Sequence, residues 1–88
     1  MIHASHPEIV ARLKRADGHL RSVIAMMEEG RPCLDLAQQL HAVEAAVAKA
    51  KKQLIQDHID HCLGDAVSGG VIEASKAVQE LKALAKYL

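Results

Sequence analysis

Between Pro32 and Gly64 the chain contains neither proline nor glycine, and this unbroken run constrains the fold more than any other feature. Leu36, Leu40, Val43, Val47, Ala50, Leu54, His58 and then Cys62, with His61 beside it, recur at spacings of three and four. That periodicity predicts one helix over about 32–63 with an apolar stripe along it. At 1.5 Å per residue the helix would be roughly 48 Å long, nearly three times the usual globular length.

The flanking segments predict two shorter helices. Ser5 and Glu8 fit a capping box, and Pro7 is tolerated in a first turn. A helix over about 6–29 follows from Val10, Leu13, Leu20, Val23 or Ile24, and Met27, with residues 1–5 as a mobile tail. Gly18 lies inside it, where it costs about 1 kcal/mol against Ala, so it is expected to mark a close helix contact. Gly30 suits a helix C-terminus and Pro32 the first turn of the next helix. Ser68, Gly69 and Gly70 break the pattern again. A third helix over about 71–87 then follows from Val71, Ala74, Val78, Leu81, Ala85 and Leu88.

The expected fold class is therefore all-α, a single domain over 1–88 with a three-helix protomer and a long central helix. A third helix of about 17 residues covers only half of a central helix of about 32. A monomeric three-helix bundle fits these lengths poorly, and the remaining stripe calls for another copy of the chain. No heptad pattern is clean enough for a simple two-stranded coiled coil. The apolar half of the composition has no Phe, no Trp and one Tyr, so its small side chains need close helix–helix contact.

The 11 basic and 11 acidic residues cancel overall, but their distribution is uneven. Arg12, Lys14, Arg15 and Arg21 face only Asp17 in their stretch, and Lys49, Lys51 and Lys52 form a second basic cluster. The last third is mostly acidic. A neutral total thus leaves room for an anionic partner. No run of 18 apolar residues is present, so no membrane span is expected. The polar, His-containing start is not a signal peptide, and the two cysteines do not suggest a secreted scaffold. The cytoplasm is the expected location. No Ser/His/Asp order, carboxylate pair or aromatic-lined pocket points to an enzyme.

His58 and Cys62 are four apart and share a helix face. Imidazole plus thiolate suits zinc, nickel, cobalt or copper(I). The natural third ligand is Cys33, but it lies about 43 Å from Cys62 along a straight helix. The two can meet only if a second copy packs antiparallel, which gives two equivalent sites per dimer. His3 and His6, in or next to the tail, are candidate further ligands. His61 lies one residue off the stripe, and His19 and His41 read as structural or surface residues. The competing reading makes both cysteines small buried hydrophobes and His58 a core histidine. If the first helix packs antiparallel to the long one, Arg12 and Arg15 come near Lys49 or Lys52, a patch able to hold phosphate oxygens. The competing reading there is a solvated charged face. No helix-turn-helix, zinc-finger spacing or phosphate loop accompanies it.

The stretches HPEIVARLKRADGHLRSVIAMMEEGRPC and LAQQLHAVEAAVAKAKKQLIQDHIDHCL, which span 6–63, resemble the CsoR/RcnR family of metal-responsive transcriptional repressors. The motifs that carry the resemblance are R-L-K-R-x-x-G-x-L, the Gly-x-x-Cys turn, the Q-Q-L-x-A-V run and H-x-x-x-C. The resemblance implies an antiparallel dimer of long helices assembling into a flat tetramer based on four-helix bundles. It also implies operator DNA bound without a helix-turn-helix and released on effector binding, so that an efflux or resistance operon is derepressed. By the same resemblance Cys33, His58 and Cys62 are metal ligands. Arg12, Arg15 and Lys49 are DNA contacts, with Lys14 and Lys52 beside them. The Cys-His-Cys set resembles copper(I) members, whereas nickel and cobalt members add an N-terminal histidine, for which His3 and His6 are candidates. Ni(II) or Co(II) is the expected effector and Cu(I) the alternative. A metal-binding or interaction protein without DNA binding is the alternative from a different class.

Overall fold

The computed structural model describes residues 5–88, with side chains described across that range except at Cys62, residues 65–67 and residues 71–73. Among the described residues the fold is all-α. Helix α1 spans His6–Glu28 and helix α2 spans Cys33–Ala85, broken once in its backbone at Gly70. The molecule is flat and elongated, 59 × 23 × 13 Å.

Helix α1 starts where the sequence places it, with Pro7 in the first turn, but the capping box does not form. Ser5 has helical dihedrals (φ −82°, ψ −11°) and its side chain makes no cap bond. An N-cap hydroxyl normally reaches the first-turn amides from an extended backbone. Here the Ser5 carbonyl accepts from the Ile9 amide at 3.0 Å, and Glu8 lies 3.8 Å from Arg12 one turn on. The end of α1 is a Schellman turn. Gly30 takes φ +77°, its amide donates to Met27 O, and the Arg31 amide donates to Met26 O. Pro32 then caps α2 from just outside, with φ −57° and ψ 144°.

The expected stop at Gly64 is absent, and α2 runs through it. A lone helical glycine costs about 1 kcal/mol, which a long, continuously hydrogen-bonded helix tolerates, and Ser68 Oγ donates to Gly64 O at 3.0 Å. The break comes at Gly70, whose φ of 82° and ψ of −163° lie in a region essentially confined to glycine. The break sends the C-terminal arm, residues 71–85, back along the long arm, so that Glu80 meets His58. The expected third helix is this arm.

The stripe expected on α2 divides into two faces, whereas on α1 only Val23 of the expected residues is buried and Ile9 and Ala16, outside the expected stripe, form the rest of the covered face. Ile9, Ala16 and Val23 of α1 are buried, as are Leu36, Val43 and Ala50 of α2. Each set repeats every seven residues. Arg12, His19 and Met26, and Gln39, Ala46 and Gln53, are partly buried three residues further on. This is the a/d seam of an antiparallel heptad hairpin. Periodicity missed it because four of the d positions carry Arg, His or Gln. The other stripe residues, Leu40, Val47 and Leu54, together with Val10, Leu13, Leu20, Ile24 and Met27, remain 40–56% exposed. Gly18 does not mark a close contact within the chain, since a Cβ there would meet nothing within 4 Å. No helix among the described residues is long and apolar enough to cross a membrane.

These glycines make opposite predictions. Gly64→Ala should stabilise the chain by about 1 kcal/mol. Gly70→Ala should destabilise it by about 1–3 kcal/mol. Urea unfolding midpoints compared at equal protein concentration check both.

Candidate metal centre and nucleic-acid interface

The seam register decides which basic residues meet. A shallow groove of about 600 Å³ is lined by Arg12 of α1 and by Lys49, Lys52, Gln53 and Gln56 of α2. A neighbouring cleft of about 200 Å³ is lined by Arg12, Arg15, His19 and Lys49 among others. Four of the five basic candidates thus border one continuous cationic strip. Lys14 is exposed and lines neither hollow. No Asp or Glu lines either one among the described residues. The nearest carboxylate to Arg12 belongs to exposed Glu8, at 3.8 Å, too long and too solvated to neutralise it.

Two polar atoms in this strip are buried without a hydrogen-bond partner among the described residues, Arg12 Nε and Gln53 Oε1. An unpaired buried guanidinium N–H is poised to donate to an anionic oxygen, and guanidinium geometry favours phosphate. His19 also belongs here. Its Nε2 lies 2.6 Å from Gln39 Oε1 across the seam, while its ring lines the cleft. The sequence signal was available in principle, because His19 is one heptad after Arg12.

The metal-type residues are dispersed along α2. Cys33 is an exposed free thiol at its first residue. His58 is partly buried, and its Nε2 lies 2.8 Å from Glu80 Oε1. Beside His58 a partly open apolar pocket of about 120 Å³ is lined by Ile59, Leu63, Val78 and Leu81 and their neighbours. Glu80 was not foreseen, because its approach depends on the reversal at Gly70. His6 is partly buried at the start of α1, and the antiparallel register brings that end alongside the stretch of α2 beyond Gln53. His61 is exposed. The side chain of Cys62, and His3 altogether, lie outside the described residues. Among the described residues, no three His, Cys, Asp or Glu side chains of one chain are grouped to hold a metal ion. The thiolate at the start of α2 and the imidazole near its middle do suit a borderline or soft transition metal.

A family model for metal-sensitive transcriptional repressors matches residues 5–87. The chain belongs to that family. Its role is accordingly regulatory and not catalytic. It is 38% identical over 74 residues to the copper-sensing transcriptional repressor CsoR of Bacillus subtilis (strain 168), covering 84% of this chain and 71% of that protein. It is 34% identical over 77 residues to the copper-sensing transcriptional repressor RicR of Mycobacterium tuberculosis (strain ATCC 25618 / H37Rv), covering 80% of each. The fold superposes on that of the nickel-responsive transcriptional regulator InrS with a TM-score of 0.86 and 32% identity, covering 99% of this chain and 96% of that one.

The unpaired groups yield a stability prediction. Gln53→Leu removes a buried carbonyl oxygen that has no partner and retains seam packing. It should stabilise the metal-free chain by about 1 kcal/mol, as measured by the shift in thermal midpoint.

Proposed function

We propose that this chain represses transcription as a homo-oligomer, a dimer of antiparallel long helices paired into a flat tetramer, that holds operator DNA when metal-free and releases it on binding Ni(II) or Co(II), derepressing an efflux or resistance operon in the cytoplasm. The observation that carries this reading is the seam register. It gathers Arg12, Arg15, Lys49 and Lys52 on one strip lined by no carboxylate among the described residues, yet leaves Cys33 and His58 of one chain many turns apart along α2. The exposed face containing Leu40, Val47 and Leu54 supplies the apolar surface for a second copy. Antiparallel packing there brings Cys33 of one copy to His58 and Cys62 of another.

In this reading the cationic strip, with Lys14 at its margin, holds backbone phosphates through charge and through the Arg12 N–H donors. The metal supplies a cross-link between copies. Cys33 approaches as a thiolate, His58 offers a ring nitrogen, and the Glu80 contact fixes the imidazole's orientation. Release requires that metal bind the DNA-free shape more tightly than the DNA-bound shape. Couplings of this kind are about 1–3 kcal/mol, or roughly 5–150-fold in affinity.

Similarity to the nickel-responsive InrS over nearly the whole chain supports nickel or cobalt, as does the presence of His6 at the start of α1. His3 is proposed with it as the other candidate tail ligand. The second reading, Cu(I), is supported by the copper-sensing relatives and by the pairing of two thiolates with one imidazole. Raw affinity does not discriminate between them, because copper and zinc bind such donor sets tightly in any case.

Two experiments test this reading. In promoter-DNA binding, removing any one of Arg12, Arg15 or Lys49 should lower the salt slope by roughly one unit. Unchanged affinity after charge reversal at all three would leave the strip a solvated face. In metal-triggered DNA release, His3→Ala plus His6→Ala should abolish the response to nickel and cobalt, and Cys33→Ala should abolish the response to every metal. Release by copper(I) alone would select the second reading, and an undiminished response after Cys33→Ala would exclude the shared site.

A further inference from the structure

We infer that His19 is a proton-coupled phosphate contact, so that DNA binding by this chain takes up a proton and strengthens as pH falls. The inference rests on the cationic strip being the DNA surface. His19 lies between Ala16 and Val23 on α1, partly buried in the seam, and its Nε2 is engaged by Gln39 Oε1 of α2 at 2.6 Å. A carbonyl oxygen can only accept, so Nε2 carries hydrogen. In the neutral ring Nδ1 is then a bare acceptor. Nδ1 has no protein partner among the described residues, and the ring forms part of the cleft wall with Arg12, Arg15 and Lys49.

His19 thus lines a site that attracts anions with one ring nitrogen committed to Gln39 and the other unengaged by the described residues. Protonation at Nδ1 converts it to a donor and adds a charge, and the Gln39 bond survives because Nε2–H is common to both forms. The charged groups facing the cleft are Arg12 and Arg15 from α1 and Lys49 from α2. No carboxylate lines it among the described residues. A phosphodiester held in the cleft favours the protonated ring. DNA binding therefore raises the proton affinity of His19. By linkage, protein–DNA affinity is greatest where the imidazole is charged and declines as pH rises through the histidine range. A histidine that served only to fill the seam would keep its Gln39 bond and show no such coupling.

The test uses metal-free full-length chain and a labelled duplex carrying the promoter of its own gene, at fixed ionic strength. Binding is followed by fluorescence anisotropy from about pH 6 to 8, across the range where imidazole titrates, for the wild type, His19→Gln and His19→Lys. The remaining histidines are common to all three proteins and cancel in the ratios. Wild-type affinity should fall several-fold more steeply than that of His19→Gln, bounded by tenfold per pH unit for one proton. His19→Lys should bind several-fold more tightly than His19→Gln at the alkaline end, with the same shallow slope as His19→Gln. Calorimetry in buffers of different ionisation heat should show more proton uptake by the wild type than by His19→Gln. Parallel pH profiles with equal proton uptake would overturn the inference and leave the DNA surface standing. Absence of DNA binding by the wild type at every pH would overturn both.

Discussion

The antiparallel seam between Ile9, Ala16 and Val23 on one helix and Leu36, Val43 and Ala50 on the other fixes everything else in this molecule. The Schellman turn at Gly30 and the cap at Pro32 reverse the chain within a few residues. The heptad spacing then permits one register. That register sets Arg12 beside Lys49 and Lys52. The alanines at the middle of α1's seam and near the far end of α2's let the backbones approach. Only seven hydrophobic residues are buried among the described residues, two of them alanine. So small a core gives a single copy little to set against the entropy of ordering its helices. The second apolar face, which contains Leu40, Val47 and Leu54, stays exposed in the single chain.

The seam has a double use. Arg12, His19, Gln39 and Gln53 occupy d positions where a purely structural hairpin would carry leucine. Arg12, His19 and Gln53 place a polar group on the wall of the cationic strip, and Gln39 holds the His19 ring. Arg12 Nε and Gln53 Oε1 are left buried without a partner among the described residues. Natural sequences tend to break local packing rules at functional sites, and here the exceptions lie along one strip.

Much of this was legible in the sequence, for identifiable reasons. The absence of breakers between Pro32 and Gly64 announced the long helix, and the clusters around Arg12 and Lys49 could meet only through an antiparallel hairpin, which the structure contains. Gly64 was misread as a stop because single-residue propensity, a weak prior, yielded to helix continuity. Ser5 and Glu8 fit a capping motif that the helical backbone at Ser5 does not use. The division of the stripe into a covered and an uncovered face was hidden, since Leu36 and Leu40 look alike to a periodicity count. Glu80 was out of reach for a different reason. Its contact with His58 depends on the reversal at Gly70, a long-range consequence of one dihedral pair.

The central claim is that one chain holds only part of a metal centre, and it can be tested by mixing subunits. Cys33→Ala chains lack one half of each site, and chains carrying His58→Ala with Cys62→Ala lack the other. Each variant loaded with Co(II) alone should show no thiolate-to-metal charge-transfer absorption. After unfolding and refolding together they should regain it, because every mixed antiparallel dimer rebuilds one intact site of its two. Absence of recovery in a mixture shown to form mixed dimers, or charge-transfer absorption in the Cys33→Ala protein alone, would contradict the account.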